Sequence, residues 1–221
     1  MNTFFYGVLP YIAFVVLIGG TIIRYTYFER GWTTKSSEFL SKKSLKWAGP
    51  VFHLGLLMAL GGHCMGILVP KVMTEMTGVN DEMYHMMSVS GGVPAAILFF
   101  GGFLFLLKRR FFGSDRMQVN TSTMDKWLYA VLFLTLLSGT LCTVTNIPGG
   151  FDYRESISPW FRSLLMLHPD VSLMANVPAV FQWHMFMWML VALLFPFTRL
   201  VHCLSLPFEY FFRKNIIYRQ K

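Results

Sequence analysis

Charged residues are scarce in this chain of 221 residues. They make up 14% of the sequence, against roughly 25% in an ordinary soluble domain. Hydrophobic residues reach 54%, and the mean hydropathy is +0.50. This balance excludes a soluble globular domain, a disordered chain and a small scaffold held by disulfides. The abundance of Phe (22) and Met (15) fits side chains that meet lipid or a large flat apolar ligand.

Cysteine is scarce as well. The three cysteines, Cys64, Cys142 and Cys203, are far apart and fall in or at the edge of apolar runs. An odd number so placed predicts buried free thiols rather than a disulfide framework. The sequence has no Cys-x-x-Cys-His motif, so covalent attachment of a c-type haem is not indicated.

Long apolar runs dominate the chain. Five of them reach the length of about 20 residues that a membrane-crossing helix requires. We predict an all-α integral membrane protein, a single membrane domain over residues 1–221, with spans at about 4–23, 47–69, 86–107, 127–147 and 179–203. None of these predicted spans contains Asp or Glu. The first positive residue, Arg24, follows the first run, so we expect this run to persist as a span rather than to be cleaved as a signal peptide.

The basic residues are distributed unevenly between the connections. Sixteen Lys or Arg lie on one side of the predicted spans, against three on the other, which are Lys71, Arg154 and Arg162. Because Lys and Arg are retained on the cytoplasmic side, we expect the N-terminus outside and the C-terminus in the cytoplasm. The net charge of +8 then faces anionic lipid and gives no reason to expect nucleic-acid binding.

The longest outer connection, residues 148–178, carries a helix-start signal. Ser158 precedes Pro159, and Trp160 and Phe161 follow. Proline is favoured in the first turn of a helix, and serine is favoured just before it. We therefore predict a short helix that lies on the outer membrane surface.

Four histidines fall inside predicted spans, where titratable groups need a reason. At a rise of ~1.5 Å per residue, His53 lies ~9 Å and His63 ~24 Å from the inner end of span two. On the same scale, His202 lies ~1.5 Å and His184 ~28 Å from the inner end of span five. The depths pair His53 with His202 and His63 with His184. The eighteen residues between His184 and His202 make five helical turns, which predicts that both lie on one helix face.

Two histidine pairs at two depths predict two bis-histidine haems of the b type, because neutral imidazole is a standard axial ligand of haem iron. The alternative is that each histidine merely forms hydrogen bonds between helices. Near the span-two histidines lie Gly55, Gly61, Gly62 and Gly66. They leave room for a porphyrin, or they let helices pack closely, and both roles are compatible.

Three residues near the inner end of the spans complete this prediction. Pro196 lies between the span-five histidines, cannot donate a backbone hydrogen bond, and should kink the helix. Arg110 and Arg199 are candidates to pair with haem propionates. The alternative for each arginine is a snorkelling or stop-transfer role.

Several motifs are shared with one family over nearly the whole chain. They are Phe52-His53-Leu54-Gly55, Gly62-His63 with Gly66, Leu106-Leu107-Lys108-Arg109-Arg110, Phe195-Pro196-Phe197-Thr198-Arg199-Leu200-Val201-His202, and Leu206-Pro207-Phe208-Glu209-Tyr210. With them, the sequence resembles the gamma subunit of bacterial respiratory nitrate reductase, the membrane cytochrome b of that complex.

The resemblance implies a multi-pass subunit of the bacterial cytoplasmic (inner) membrane that binds two haem b groups. Its implied partners on the cytoplasmic side are an iron–sulfur beta subunit and a molybdenum-containing alpha subunit, where nitrate becomes nitrite. The chain would oxidise menaquinol or ubiquinol near the outer face and pass the electrons inward.

The resemblance also implies a quinol site beside the outer haem, around His63, Gly62 and the start of span three. A basic residue contacts quinol there in the family. The matching stretch, residues 81–86, has no lysine, so His85 is the nearest titratable replacement, with Tyr84 beside it. The alternative is that His85 is an ordinary interfacial histidine.

Two other functions compete with this interpretation. Related dihaem subunits serve sulfur-metabolism or heterodisulfide-type complexes, with the same quinol chemistry and different partners. A haem-free anchor or a transporter would belong to another class of protein. The odd number of spans and the absence of an internal repeat in the sequence argue against a transporter.

Overall fold

The computed structural model describes residues 3–28, 42–113, 118–119 and 121–204. Within these ranges every regular element is helical. Five helices are long and apolar enough to cross a membrane, and they run over Phe4–Tyr27, Lys46–Leu68, Asp81–Phe111, Thr123–Thr145 and Ala179–Phe197. The predicted all-α membrane architecture with five spans is therefore confirmed. The tail motif that begins at Leu206 lies outside the described residues.

The helices follow one another around the bundle. In chain order they are α1 (Leu9–Tyr27), α2 (Lys42–His63), α3 (Lys71–Met76), α4 (Asp81–Phe111), α5 (Thr123–Thr145), α6 (Ile157–Leu165) and α7 (Ala179–Leu194). A π-helical turn at Phe4–Val8 leads into α1, and another at Cys64–Leu68 extends α2. Helix α2 packs on α4, α4 on α5, α5 on α7, and α7 on α1.

Two of the long helices begin earlier than their apolar runs. Helix α4 begins at Asp81 because the side chain of Asn80 accepts a hydrogen bond from the Met83 amide at 2.8 Å. Helix α5 begins with a capping box between Ser122 and Asp125. The predicted starts of these spans at residues 86 and 127 are therefore too late, and Asp81, Glu82 and Asp125 lie in helices instead of in connections. Hydropathy marks the apolar middle of a helix and not its polar cap.

A pair of glycines sets the close packing of α2 on α4. A Cβ atom on Gly55 would lie 2.3 Å from the backbone nitrogen of Phe99, and one on Gly102 would lie 2.8 Å from that of Phe52. Only hydrogen fits at such distances, so each helix presses a glycine against the backbone of the other. Gly55 thus serves helix packing rather than room for a ligand.

The outer helix α6 is part of the protein core. Trp160 and Leu164 are buried, and Trp160 Nε1 donates to the carbonyl of Tyr6 at 2.9 Å. Ser158 Oγ donates to the carbonyl of Gly66 at 2.7 Å, where the π-helical turn leaves α2. The predicted short helix is confirmed, but its apolar face covers protein instead of lying on the membrane surface.

The fifth span is interrupted at its inner end. Helix α7 ends at Leu194, and two 3₁₀ turns follow at Phe195–Phe197 and Arg199–Leu204. Thr198 between them is extended, with φ −114° and ψ 179°. The predicted kink at Pro196 is confirmed. The prediction that His184 and His202 share one helix face is wrong, because no continuous helix joins them.

The cysteines do not form disulfides. Cys142 is buried, whereas Cys64 and Cys203 are exposed on the surface of the chain. Free thiols are therefore confirmed, and burial is confirmed for Cys142 alone.

Candidate functional site

The outer histidine pair meets between α2 and α7. His63 is the last residue of α2, and its ring centroid lies 6.1 Å from that of His184, with the ring planes inclined by 44°. Bonds between a metal and imidazole nitrogen are about 2 Å long, so two rings that bind one metal atom between them have centroids roughly 6 Å apart. The two residues predicted to form the outer pair therefore lie at a spacing that suits a shared metal.

Local hydrogen bonds fix which nitrogen carries the proton in three of the four span histidines. His53 and His63 each bond through Nδ1 to the carbonyl four residues earlier in α2, at 2.8 and 2.6 Å. His202 bonds through Nδ1 to the carbonyl of Arg199 at 2.6 Å. A carbonyl oxygen only accepts, so Nδ1 must be protonated in each ring. The lone pair of each neutral ring then lies on Nε2, the nitrogen that would bind a metal.

The fourth histidine, His184, also carries its proton on Nδ1, and the acceptor of this proton is a serine hydroxyl. Ser138 Oγ donates to the carbonyl of Thr135 at 2.9 Å, so it accepts from Nδ1 of His184, 3.0 Å away. Nε2 of His184 accepts from Nε1 of Trp188 at 3.2 Å. This lone pair is on the side of the ring that a metal would take, and binding one requires Trp188 to give up its bond. The sequence interpretation missed both Ser138 and Trp188.

Three glycines leave room beside the imidazole rings of His63 and His184. A Cβ atom on Gly61 or Gly62 would meet nothing within 4 Å. On α5, a Cβ atom on Gly139 would lie 2.8 Å from Cε1 of His184, so this glycine admits the imidazole ring. Open space beside one ring and a cradle around the other fit a planar group whose metal takes one imidazole from each helix. Gly139 was not singled out from the sequence.

His85 shows the opposite arrangement of protons. Its Nε2 lies 3.0 Å from the carbonyl of Ile147, at the end of α5. Nε2 must therefore donate, and the lone pair of a neutral ring lies on Nδ1. Among the described residues, no hydrogen bond joins His85 to His63 or Gly62. The structure links His85 to the outer end of α5 rather than to α2.

Tyr84 faces a different neighbour. Its hydroxyl lies 3.2 Å from that of Tyr153 in the outer connection. The guanidinium carbon of Arg154 lies 3.7 Å from the centroid of the Tyr84 ring, a cation–π arrangement. A Cβ atom on Gly66 would lie 2.6 Å from the hydroxyl oxygen of Tyr153. Tyr84 thus belongs to a packed contact between α4, the outer connection and the end of span two.

Two cations and three acids join the outer connections. Lys71 Nζ lies 2.8 Å from a carboxylate oxygen of Asp81 and 2.7 Å from one of Glu155. Arg154, with a side chain 3% exposed, bonds to Asp81 at 2.7 Å and to Asp152 at 3.1 Å. The hydrogen bonds to Asp81 and Glu155 raise the pKa of Lys71 above its usual range. These ion pairs hold α3 and the long outer connection against the start of α4.

The two inner arginines share one carboxylate. Arg199 donates to Asp125 through Nε, at 2.8 Å, and through Nη2. Arg110 Nη2 lies 3.2 Å from Asp125 Oδ2. Arg110 is 3% and Asp125 6% exposed, so both are buried, and the side chain of Arg199 is 15% exposed. The sequence interpretation named both arginines as candidates for haem propionates, and in the structure both pair with Asp125 instead. It missed Asp125, although Ser122-x-x-Asp125 is a capping signal.

Five helices long and apolar enough to cross a membrane, with a histidine pair between two of them, define the class as a multi-pass membrane protein. The model of the nitrate reductase gamma subunit family matches residues 2–221. The chain therefore belongs to this family, which makes it the membrane subunit of a nitrate reductase and part of an oxidoreductase complex.

Individual relatives agree with the family. The chain is 42% identical over 217 residues to the nitrate reductase gamma chain of Bacillus subtilis (strain 168), covering 98% of this chain and 97% of that one. It is 33% identical over 224 residues to the respiratory nitrate reductase 1 gamma chain of Escherichia coli (strain K12), covering 100% and 98%. Nitrate reductase-like protein NarX of Mycobacterium tuberculosis (strain ATCC 25618 / H37Rv) is 35% identical over 224 residues, which is 34% of its length.

Proposed function

We propose that the chain is a dihaem cytochrome b subunit in the bacterial cytoplasmic membrane. It oxidises menaquinol or ubiquinol near the outer face and passes the electrons inward to an iron–sulfur beta subunit. A molybdenum-containing alpha subunit then reduces nitrate. His63 and His184 are assigned to the outer haem, and His53 and His202 to the inner one.

The observation that carries this proposal is the common protonation state of the four histidines. All four hold a proton on Nδ1, so the lone pair of each neutral ring lies on Nε2, and in His184 this lone pair accepts from Trp188 until a metal replaces it. Among the described residues there is no cluster of three or more His, Cys, Asp or Glu that would hold a bare metal ion. Two imidazoles alone suit a metal whose other ligands come from a macrocycle. When bound, each haem supplies an iron atom that gains and loses one electron.

Quinol oxidation fits the outer end of the bundle. Quinol becomes quinone by giving up two electrons and two protons, so a base must take a proton. The free Nδ1 of His85 suits this role, and Gly62 leaves space beside His63 for the quinol ring. Protons released outside, while electrons move to the negative inside, store energy of ~2.3 kcal/mol per charge per 100 mV.

Spectroscopy of the purified complex tests the ligand assignment. We expect His63→Ala to remove one of two haems and His53→Ala to remove the other, read from haem content and reduced-minus-oxidised spectra. His168→Ala, a change at an exposed outer histidine, is the matched control and should retain both. If the His63 and His53 variants keep both haems, the assignment is wrong. A wild-type complex without haem b would instead favour a haem-free anchor.

The tail tests the proposed partners. The basic inner connections and the residues after Leu206, which lie outside the described residues, are proposed to dock the iron–sulfur subunit. We expect truncation after Leu206 to release the soluble subunits from membranes while they still reduce nitrate with an artificial donor. Continued attachment would exclude the tail as the docking segment. Identification of the subunits that copurify separates nitrate reductase from sulfur-metabolism complexes.

A further inference from the structure

The α-helix of span five does not continue to His202, which lies in a separate 3₁₀ turn. Helix α7 ends at Leu194, and Thr198 is extended before the last 3₁₀ turn. Arg24 Nη1 in α1 donates to the carbonyls of Pro196 and Thr198. This segment is therefore held from outside, by side chains of neighbouring helices.

Asp125 is the fixed point of that support. Its amide and carboxylate form the capping box with Ser122, which ties the side chain to the first turn of α5. The carboxylate then receives the two-pronged fork of Arg199, and Arg110 bonds to the same group. A two-pronged arginine–carboxylate pair restricts direction as well as distance. Asp125 and Arg110 are buried, which limits the competition of water for these bonds.

The carbonyl of the same Arg199 residue accepts the bond from His202 Nδ1 at 2.6 Å. We propose that Asp125 is a positioning residue for His202, acting through Arg199: the carboxylate fixes residue 199, and its carbonyl fixes the plane and the proton of the imidazole. The proposal rests on the proposed function, in which His202 is an axial ligand of the inner haem. Partners that bond to the far nitrogen of a ligating histidine set its orientation and its basicity.

The test is the midpoint potential and the low-spin electron paramagnetic resonance signal of each haem in the whole complex. We expect Asp125→Asn, which removes the charge that holds Arg199, to shift both properties of the inner haem and leave those of the outer haem unchanged. Arg199→Lys keeps the positive charge but cannot form the fork. We expect Arg199→Lys to shift the inner haem signal too. Because this variant keeps the charge, such a shift would come from lost positioning and not from a lost charge.

Two controls separate positioning from other effects. Ser122→Ala weakens the cap of α5 but retains the fork, so it should lower thermal stability and leave both haem signals in place. Asp152→Asn makes the same charge change in the outer ion-pair cluster and should leave the inner haem unchanged.

Several outcomes would overturn the proposal. Unshifted haem signals in Asp125→Asn and Arg199→Lys would make Asp125 a structural cap only. A shift in Asp125→Asn but not in Arg199→Lys would make it a source of charge only. If Asp125→Asn fails to assemble, Arg199→Lys alone decides. Retention of the inner haem in His202→Ala would instead overturn the proposed function, and this variant is read first.

Discussion

At the scale of single residues, one hydrogen bond decides what each histidine offers. The carbonyls one turn earlier in α2 hold His53 and His63 with Nδ1 protonated, whereas the carbonyl of Ile147 holds His85 with Nε2 protonated. The first state suits a metal ligand that points away from its own helix. The second leaves Nδ1 as a base. The nearest acceptor therefore decides which ring nitrogen carries the proton and which carries the lone pair.

The cradle at Gly139 gives the first prediction. A Cβ atom there would lie 2.8 Å from Cε1 of His184, so Gly139→Ala must displace the ring. We expect loss of the outer haem, measured as half the haem content, with the inner haem retained. Gly92→Ala is the matched control, since its Cβ would meet Thr143 at an ordinary 3.6 Å. Full haem content in the Gly139 variant would exclude a ligand role for His184 in its present orientation.

The second prediction concerns the lone pair of His85. His85→Gln can still donate to the carbonyl of Ile147 but lacks the basic Nδ1. If His85 accepts a proton from quinol, both His85→Gln and His85→Ala should slow quinol-dependent haem reduction by roughly 10²-fold or more. Haem content and nitrate reduction with a donor to the soluble subunits should not change. Wild-type rates in His85→Gln, with slow rates in His85→Ala, would show that the residue only ties α4 to α5.

At the scale of the element, α6 shows how a connection becomes part of the core. The indole of Trp160 donates a hydrogen bond to a backbone carbonyl in the turn before α1. The hydroxyl of Ser158 donates one to a carbonyl in the π-helical turn that extends α2. The apolar side chains of α6 also pack in the core. The carbonyls of Gly66 and Ile67, left free where α2 becomes a π-helical turn, receive Ser158 and Arg162. The unusual end of span two and the buried outer helix therefore stabilise each other.

Neighbouring leucines on α6 give the third prediction. Leu164 is 1% exposed and Leu165 is 53% exposed. Because α6 is a core element, Leu164→Ala should cost about 2–5 kcal/mol, whereas Leu165→Ala should cost about 0.5 kcal/mol or less. Thermal unfolding of the detergent-solubilised complex measures the difference. Equal, small losses of stability in the two variants would indicate that α6 lies on the membrane surface instead of in the core.

The sequence predicted those elements whose causes are local. Apolar length locates the spans, and Ser158 before Pro159 locates α6. The ends of α4 and α5 were missed because their caps, Asn80 and Ser122, are polar residues outside the apolar runs. The kink at Pro196 was predicted from a missing donor, but the carbonyls of Pro196 and Thr198 find their donor in Arg24, which lies in α1.

Long-range contacts explain the rest of what was missed in the site. Asp125 pairs with Arg199 across 74 positions, and Trp160 bonds to the carbonyl of Tyr6 across 154. No local pattern marks such partners. The histidine spacing suggested pairs at two depths, but the fit of His184 depends on Ser138 and Gly139 in a different helix.

At the scale of the whole molecule, the two ends of the bundle use charge differently. At one end, Lys71 and Arg154 are paired with the acids Asp81, Asp152 and Glu155, and these bonds join connections to helices. At the other end, Arg110 and Arg199 share the single carboxylate of Asp125. Lys71 and Arg154 thus form ion pairs within the protein, which accounts for their presence at the end of the bundle that has few Lys and Arg.

This asymmetry leads to the last prediction, the orientation of the chain in the membrane. Because Lys and Arg are retained in the cytoplasm, we expect α3 outside and the connection between α4 and α5 inside. Met76 in α3 is 83% exposed, and Val119 in that connection is 85% exposed. With Cys64, Cys142 and Cys203 replaced by Ala, Met76→Cys should react with an impermeant maleimide on intact spheroplasts, and Val119→Cys only after permeabilisation. The reverse pattern would invert the chain and place His63 and His85 at the cytoplasmic side, where quinol protons could not leave the cell. Since proton release outside is the step that stores energy in the proposed function, that outcome would also remove the reason for two histidine pairs at opposite depths.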